Sequence, residues 1–153
     1  MSKNMNIHEI KKEEIESVIN IAKTSLQQSE ETARKYIDDT INMNCGTVIV
    51  AKDDNKIIGF ILGTFTEWNK IGNVGLIATV PESRGKGVGK NLLLAFEDWS
   101  RNCGVRKIFL DTREDNKIAQ IFYIKCGYVP ENYLIDYYED GFAGINFAKK
   151  LIK

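Results

Sequence analysis

Leu76-Ile-Ala-Thr-Val-Pro-Glu-Ser-Arg-Gly-Lys-Gly-Val-Gly-Lys-Asn-Leu-Leu-Leu94 is the stretch whose reading decides the fold. An apolar β-type run, Leu76 to Val80, meets Pro81 and then a loop carrying Arg84, Gly85, Lys86, Gly87, Val88, Gly89 and Lys90. An amphipathic helix opens on Asn91-Leu92-Leu93-Leu94. Glycines placed there let backbone approach a ligand with no Cβ in the way. The unpaired N–H groups of a first helical turn, aided by the helix dipole, form an anion site. Arg84 and Lys86 add positive charge suited to phosphate. The stretch reads as a pyrophosphate cradle.

Spacing separates three kinds of phosphate loop. A P-loop needs G-x-x-x-x-G-K-[ST], but Gly85 and Gly89 are too close, and Lys90 is followed by Asn91, which has no hydroxyl for Mg²⁺. A dinucleotide fingerprint needs G-x-G-x-x-G after an early strand, whereas Gly85, Gly87 and Gly89 give G-x-G-x-G in mid-chain. Arg84-x-x-Gly87-x-Gly89 fits the third pattern, [QR]-x-x-G-x-[GA]. In this the chain resembles the GNAT superfamily of N-acetyltransferases, whose loop of that form holds the pyrophosphate of acetyl-CoA.

A second segment carries the same resemblance. Asn116-Lys-Ile-Ala119-Gln-Ile-Phe122-Tyr123-Ile-Lys-Cys-Gly127-Tyr128 follows the apolar run Lys107 to Leu110 and is similar to the family's N-x-x-A-x-x-[LF]-Y-x-x-x-G-[FY]. As a helix it places Ile118, Ile121 and Phe122 on one apolar face, and Gly127 stops it where a left-handed residue is wanted. The resemblance covers about residues 46–152, and the first 45 residues fit by pattern.

The remaining elements follow from periodicity and turn chemistry. Asn6 to Ile10 reads as a strand, and Lys11 to Leu26 as a helix with Ile15, Val18, Ile19 and Ala22 inward. Ser29 caps a second helix reaching Met43. Gly46 to Lys52 and Lys56 to Thr66 form a hairpin, and Trp68 to Gly72 turns into the strand ending at Val80. A long helix ends at Gly104; the strand 106–112 and the helix 116–126 follow. Two strands, about Tyr133–Tyr138 and Phe142–Leu151, close the chain around Asp140-Gly141. The GNAT resemblance then implies an α/β (α+β) fold: a mixed, mostly antiparallel sheet of six or seven strands with about four helices. Strands 4 and 5 would splay around the CoA site.

At 153 residues, 43% of them hydrophobic and 27% charged, the chain reads as one domain, residues 1–153, with a core of its own. Lys+Arg and Asp+Glu both number 21, which points to neither nucleic acid nor a membrane surface as partner. Cys45, Cys103 and Cys126 are widely spaced beside a single histidine, His8, so neither a metal site nor a disulfide framework is expected. With no leader or apolar span, the expected location is cytoplasmic.

Acetyl transfer from a thioester to an amine needs a held CoA, a polarised carbonyl, a neutral amine and a protonated leaving sulfur. The resemblance assigns the carbonyl to backbone N–H groups of the splayed strand, at Ala78, Thr79 and Val80. It gives Tyr123 the role of general acid, and has Asn116 reach the CoA arm, or cap its helix, or both. Asp111, in Leu110-Asp111-Thr112-Arg113, is similar in place to the glutamate base in the L-E-V-R segment of ribosomal-protein N-alpha-acetyltransferases. A strand-end aspartate paired with Arg113 or solvent is the alternative, with Glu67 or a water chain as further bases. Tyr137-Tyr138-Glu139-Asp140-Gly141 resembles the Y-Y-x-D-G hairpin of peptide N-terminal acetyltransferases, then departs at Phe142-Ala143-Gly144. The implied partners are acetyl-CoA and an amine: a peptide N-terminus, a lysine or a small molecule. A non-catalytic acyl-CoA-binding module is the competing class, and the assembly is a monomer or a homodimer.

Overall fold

The structure is a computed structural model that describes residues 5–151; the ends of the expected 1–153 domain lie outside the described residues. Strand β1 (Met5–Glu9) leads through a single 3₁₀ turn, Lys12–Glu14, into helix α1 (Ile15–Ser25) and then α2 (Glu30–Asn42). Strands β2 (Gly46–Asp53), β3 (Lys56–Thr66) and β4 (Ile71–Thr79) form a meander. Helix α3 (Val88–Asn102), strand β5 (Lys107–Arg113), helix α4 (Lys117–Lys125) and strands β6 (Val129–Leu134) and β7 (Gly144–Lys150) complete the chain. The seven strands are ordered β1-β2-β3-β4-β5-β7-β6, and β4–β5 is the parallel pair.

Alternation along β2 and β3 makes two cores. Val48, Val50, Phe60 and Leu62 face α1 and α2, where Val18, Ile19, Ala33 and Ile37 meet them. Ile49, Ala51 and Ile61 face the other way, toward Leu92, Leu93 and Phe96 of α3. A sheet covered on both faces explains why the centres of these strands are apolar at every position. Ser29 caps α2 as its sequence predicts, its hydroxyl accepting from the Thr32 N–H at 3.1 Å.

Three expectations are corrected. The first helix does not run unbroken from Lys11: Glu14 turns inward, accepting from the Lys11 N–H and from His8 at 2.9 Å, and this makes a 3₁₀ turn first. The expected strand Tyr133–Tyr138 lies four residues earlier, at Val129–Leu134. Pro130 argues against a strand in sequence, yet β6 is the sheet's edge, where a missing N–H costs nothing. Tyr137 and Tyr138 instead fold over a local turn, both N–H groups donating to the Phe142 carbonyl at 3.2 and 3.1 Å. The third correction concerns α4. Ile118 and Ile121 are 85% and 54% exposed, and the inward side is Ala119, Phe122, Tyr123 and Cys126. The large ring of Tyr123, stacked among Tyr128 and Phe147 with centroids 6.2 and 6.1 Å away, decides which side is buried.

A charged group is buried in the α3 core. Glu97 is 1% exposed; it accepts from the Tyr128 hydroxyl at 3.0 Å and from Lys149 Nζ at 3.1 Å. Lys149 also donates to the Cys126 carbonyl at 3.0 Å, so the cluster ties α3 to the end of α4 and to β7. Burial, followed by the Glu97 charge, pushes the Tyr128 hydroxyl well above the usual phenol range. Glu97→Ala strands the Lys149 ammonium beside an unpaired phenol and is expected to cost ~3 kcal/mol of unfolding free energy. Urea denaturation reads this directly; a loss below ~1 kcal/mol would show that water replaces the carboxylate freely.

Candidate active site

The strand β4 is tied to β5 over only three pairs, Ile71↔Lys107, Gly72↔Ile108 and Asn73↔Phe109. Beyond them the register of β4 against β3 jumps from Gly63↔Val74 to Leu62↔Leu76, which leaves Gly75 as an extra, bulged residue. A bulge bends its strand and sharpens the twist. From this point β4 stays with β3 while β5 continues with β7, and a cleft opens between them. The expected splay of strands 4 and 5 is present, and Gly75 is its hinge.

Hydrogen-bond alternation fixes which β4 amides face the cleft. The Val80 N–H donates to the Ile58 carbonyl at 2.9 Å, so Val80, Ala78 and Leu76 point toward β3. Ile77 and Thr79 point the other way. Of the three expected donors Ala78, Thr79 and Val80, then, Thr79 turns its N–H to the cleft, and Ile77 joins it.

The cradle lies just beyond. Gly85 and Gly87 have φ of +75° and +82°, the left-handed region, and nothing lies within 4 Å of where a Cβ on either would stand. Gly87 is the N-cap of α3 and supplies no capping side chain. The Asn91 N–H reaches the Gly87 carbonyl at 3.0 Å, so the N–H groups of Val88, Gly89 and Lys90 have no partner within the helix. Val88 is buried in the core and anchors the loop, while Gly89 lets the Phe122 ring of α4 approach to 3.4 Å of its would-be Cβ. Arg84, Lys86 and Lys90 are exposed and form no salt bridge or hydrogen bond among the described residues. Open backbone, free amides and unspent cations together fit the diphosphate of a CoA ester.

Tyr123 comes in from α4, 7% exposed. Its hydroxyl has no hydrogen-bond partner among the described residues, and burial pushes its pKa up to about 12. Asn116 caps α4, its side-chain oxygen accepting from the Ala119 N–H at 3.1 Å, which leaves its amide NH₂ for a ligand.

Asp111 belongs to the opposite face of the sheet. Leu110 and Thr112 are buried, with Leu110 in the same core as Tyr123, so alternation turns Asp111 away from Tyr123. Its carboxylate accepts from the Tyr137 hydroxyl at 2.9 Å and from the Asn146 NH₂ at 2.8 Å. Arg113 is not its partner: it pairs with Asp115 at 3.1 Å and Asp140 at 2.6 Å and stacks over Phe142 at 4.1 Å, holding the 135–143 loop. The hydrogen bond to Asp111, with burial second, pushes the Tyr137 pKa up to about 12. The Tyr36 hydroxyl from α2 fills the space where a Cβ on Gly75 would stand, and burial pushes its pKa up. Glu67 is in the turn before β4, paired with Lys70 at 2.5 Å, at the far end of that strand from Thr79. The cleft thus has two mouths: the cradle and Tyr123 on one face, and Asp111, Asn146, Tyr137 and Tyr36 on the other. Sequence reading found neither Asn146 nor Tyr36, because each acts through a neighbour distant in the chain.

Residues 13–128 match the Acetyltransferase (GNAT) family. An uncharacterized N-acetyltransferase of Methanocaldococcus jannaschii is 36% identical over 102 residues, 66% of this chain and 64% of that protein. N-alpha-acetyltransferase 30 of Schizosaccharomyces pombe is 32% identical over 99 residues, 60% of this chain and 63% of that protein. The chain spans just under two thirds of the length of these two curated relatives. The crystal structure of Ard1 from Thermoplasma volcanium superposes with a TM-score of 0.84 at 26% identity, covering 97% of this chain and 99% of that one.

Proposed function

The chain belongs to the GNAT acetyltransferase family, and from that premise we propose that it transfers the acetyl group of acetyl-CoA to a primary amine by direct attack in a ternary complex. One observation supports the reading: a single cleft has open glycine backbone with free helix-start amides at one mouth and a carboxylate at the other. CoA enters over Gly85–Lys90 and its thioester extends between β4 and β5. The amine comes from the opposite face, which lets both substrates occupy the cleft together.

In the transfer the amine nitrogen attacks the thioester carbon, forming the N–C bond as the C–S bond breaks. The Ile77 and Thr79 N–H groups face the developing oxyanion. Asp111 takes the proton that the nitrogen sheds; one lone pair on each of its oxygens stays free of Tyr137 and Asn146. Tyr123 gives its proton to the departing sulfur. A phenol at about 12 is a weaker acid than a thiol near ~8.5. Burial of the thiolate against the same apolar wall raises its basicity and narrows that gap.

The acceptor we favour is a peptide N-terminus. An α-amine, near ~8, loses its proton more readily than a lysine near ~10.4. Likeness to an N-alpha-acetyltransferase supports the same choice, as does the Tyr137-Tyr138 loop over Asp111. A concavity of about 520 Å³ along α2, lined by Tyr36, Thr40 and Met43, offers room for the rest of such a chain. Thiol release from acetyl-CoA with a panel of peptides, lysine analogues and small amines tests the proposal. Turnover is expected with at least one free-amine peptide. Tight acetyl-CoA binding with no thiol release across the panel would favour a CoA-binding module instead.

A further inference from the structure

Asn146 holds an unusual position on the acceptor face. It stands directly across from Asp111 in the β5–β7 ladder, and its NH₂ donates to Asp111 Oδ1. That bond fixes the orientation of the amide, since a carboxylate accepts and cannot donate. The Asn146 Oδ1 must then point the other way, where it is buried and has no hydrogen-bond partner among the described residues. Buried amide oxygens nearly always have a donor. Tyr137 lies across this patch: its ring rests over Gly144, 2.8 Å from where a Cβ would stand, and its hydroxyl reaches Asp111 Oδ2. Tyr137 belongs to the 135–143 loop, outside the β-ladder.

We propose that Asn146, Asp111 and Tyr137 form the subsite that binds the acceptor as a protonated primary amine, with Asn146 Oδ1 as its dedicated acceptor atom. The inference rests on the transferase reading and names what that reading leaves open, the recognition of the nitrogen. An R–NH₃⁺ group has three N–H donors; it gives one proton to solvent before attack, and Asp111 takes the second as the N–C bond forms. The patch offers three acceptors: the Asn146 oxygen, a free lone pair of Asp111, and the Tyr137 oxygen once its ring lifts from the ladder. A tertiary or acylated nitrogen has too few donors to fill them, so the subsite selects unmodified primary amines and releases the amide product. Asn146 thereby both orients Asp111 and touches the substrate.

The test is an NMR titration of the CoA-bound protein with alaninamide, a minimal α-amine, and with N-acetylalaninamide as its acylated twin. Wild type is expected to saturate with alaninamide at concentrations where the twin leaves the spectrum unchanged. Asn146→Ala is expected to weaken alaninamide about tenfold or more, with CoA affinity unchanged within about twofold. Tyr137→Phe keeps the ring over Gly144 and removes the third acceptor, so it should weaken alaninamide severalfold; with the wild-type comparison of the two probes it decides the matter if the alanine variant fails to fold. Equal affinity for the two probes overturns the subsite. So does wild-type alaninamide binding by Asn146→Ala, a parallel loss of CoA affinity, or undiminished binding by Tyr137→Phe. The readout is independent of turnover: a protein that binds alaninamide this way yet releases no thiol overturns the transferase reading alone.

Discussion

Gly87→Val is expected to leave a folded protein that no longer holds acetyl-CoA. Gly87 caps α3 at φ +82°, where a β-branched residue is strained by roughly 1–3 kcal/mol. The strain can be relieved only by turning the loop, which swings the N–H groups of Val88, Gly89 and Lys90 off their common focus. The added methyls also enter the open space in front of those amides, where phosphate oxygens must come. Both effects act on the same few atoms, so an affinity loss of ~100-fold or more, about 2.7 kcal/mol, is expected by calorimetric titration. The rest of the domain should be little affected, since Gly87 is exposed and nothing packs within 4 Å of its would-be Cβ. Wild-type affinity in a folded Gly87→Val protein would remove the cradle from the account.

Tyr123→Phe separates chemistry from binding. The substitution keeps the ring among Phe122, Tyr128 and Phe147 and removes a hydroxyl that bonds to nothing else among the described residues. Acetyl-CoA affinity should therefore persist while kcat falls ~10²-fold or more, the scale of general acid catalysis. The pH dependence sharpens the test. Burial raises the Tyr123 pKa from 10.0 to about 12, so the proton is held across the working range. Ionisation of this group should put no alkaline limb on the wild-type rate below about pH 11. The same shift stabilises the fold below pH 10 and is lost as pH rises through about 12, because the unfolded chain ionises first. Tyr123→Phe should then resist unfolding between pH 10 and 12 better than wild type. An unchanged kcat, with acetyl transfer verified as the slow step, would take the acid role from Tyr123.

Much of this site was legible because it is local. Arg84, Gly85 and Gly87 sit on one short loop with Gly89 in the first turn of α3, and Gly85 and Gly87 adopt left-handed conformations open to only a glycine without strain. Asn116, Tyr123 and Gly127 belong to one helix, and Gly127 ends it at φ +92°. What sequence misplaced depends on partners far along the chain. Ile118 and Ile121 look like core residues until the Tyr123 ring takes the inward side of α4. Pro130 hides β6, because only the sheet order reveals that the strand is an edge. The β4 amides that face the cleft shift from Val80 toward Ile77 through a pairing parity that the Gly75 bulge and the Ile58 carbonyl set. Asp111 was visible as a carboxylate near the end of a strand. Its two donors were not, since Tyr137 and Asn146 reach it from 26 and 35 residues away.

On the proposed reading, one cleft takes CoA from the cradle face and brings its sulfur to Tyr123, leaving the Asp111 face to the amine. A crystal structure of the protein with CoA tests this directly. The diphosphate is expected on the N–H groups of Gly85 to Lys90, and the sulfur between β4 and β5, within hydrogen-bond reach of the Tyr123 hydroxyl. A diphosphate bound away from residues 85–90, or a sulfur on the Asp111 face of the sheet, would contradict it.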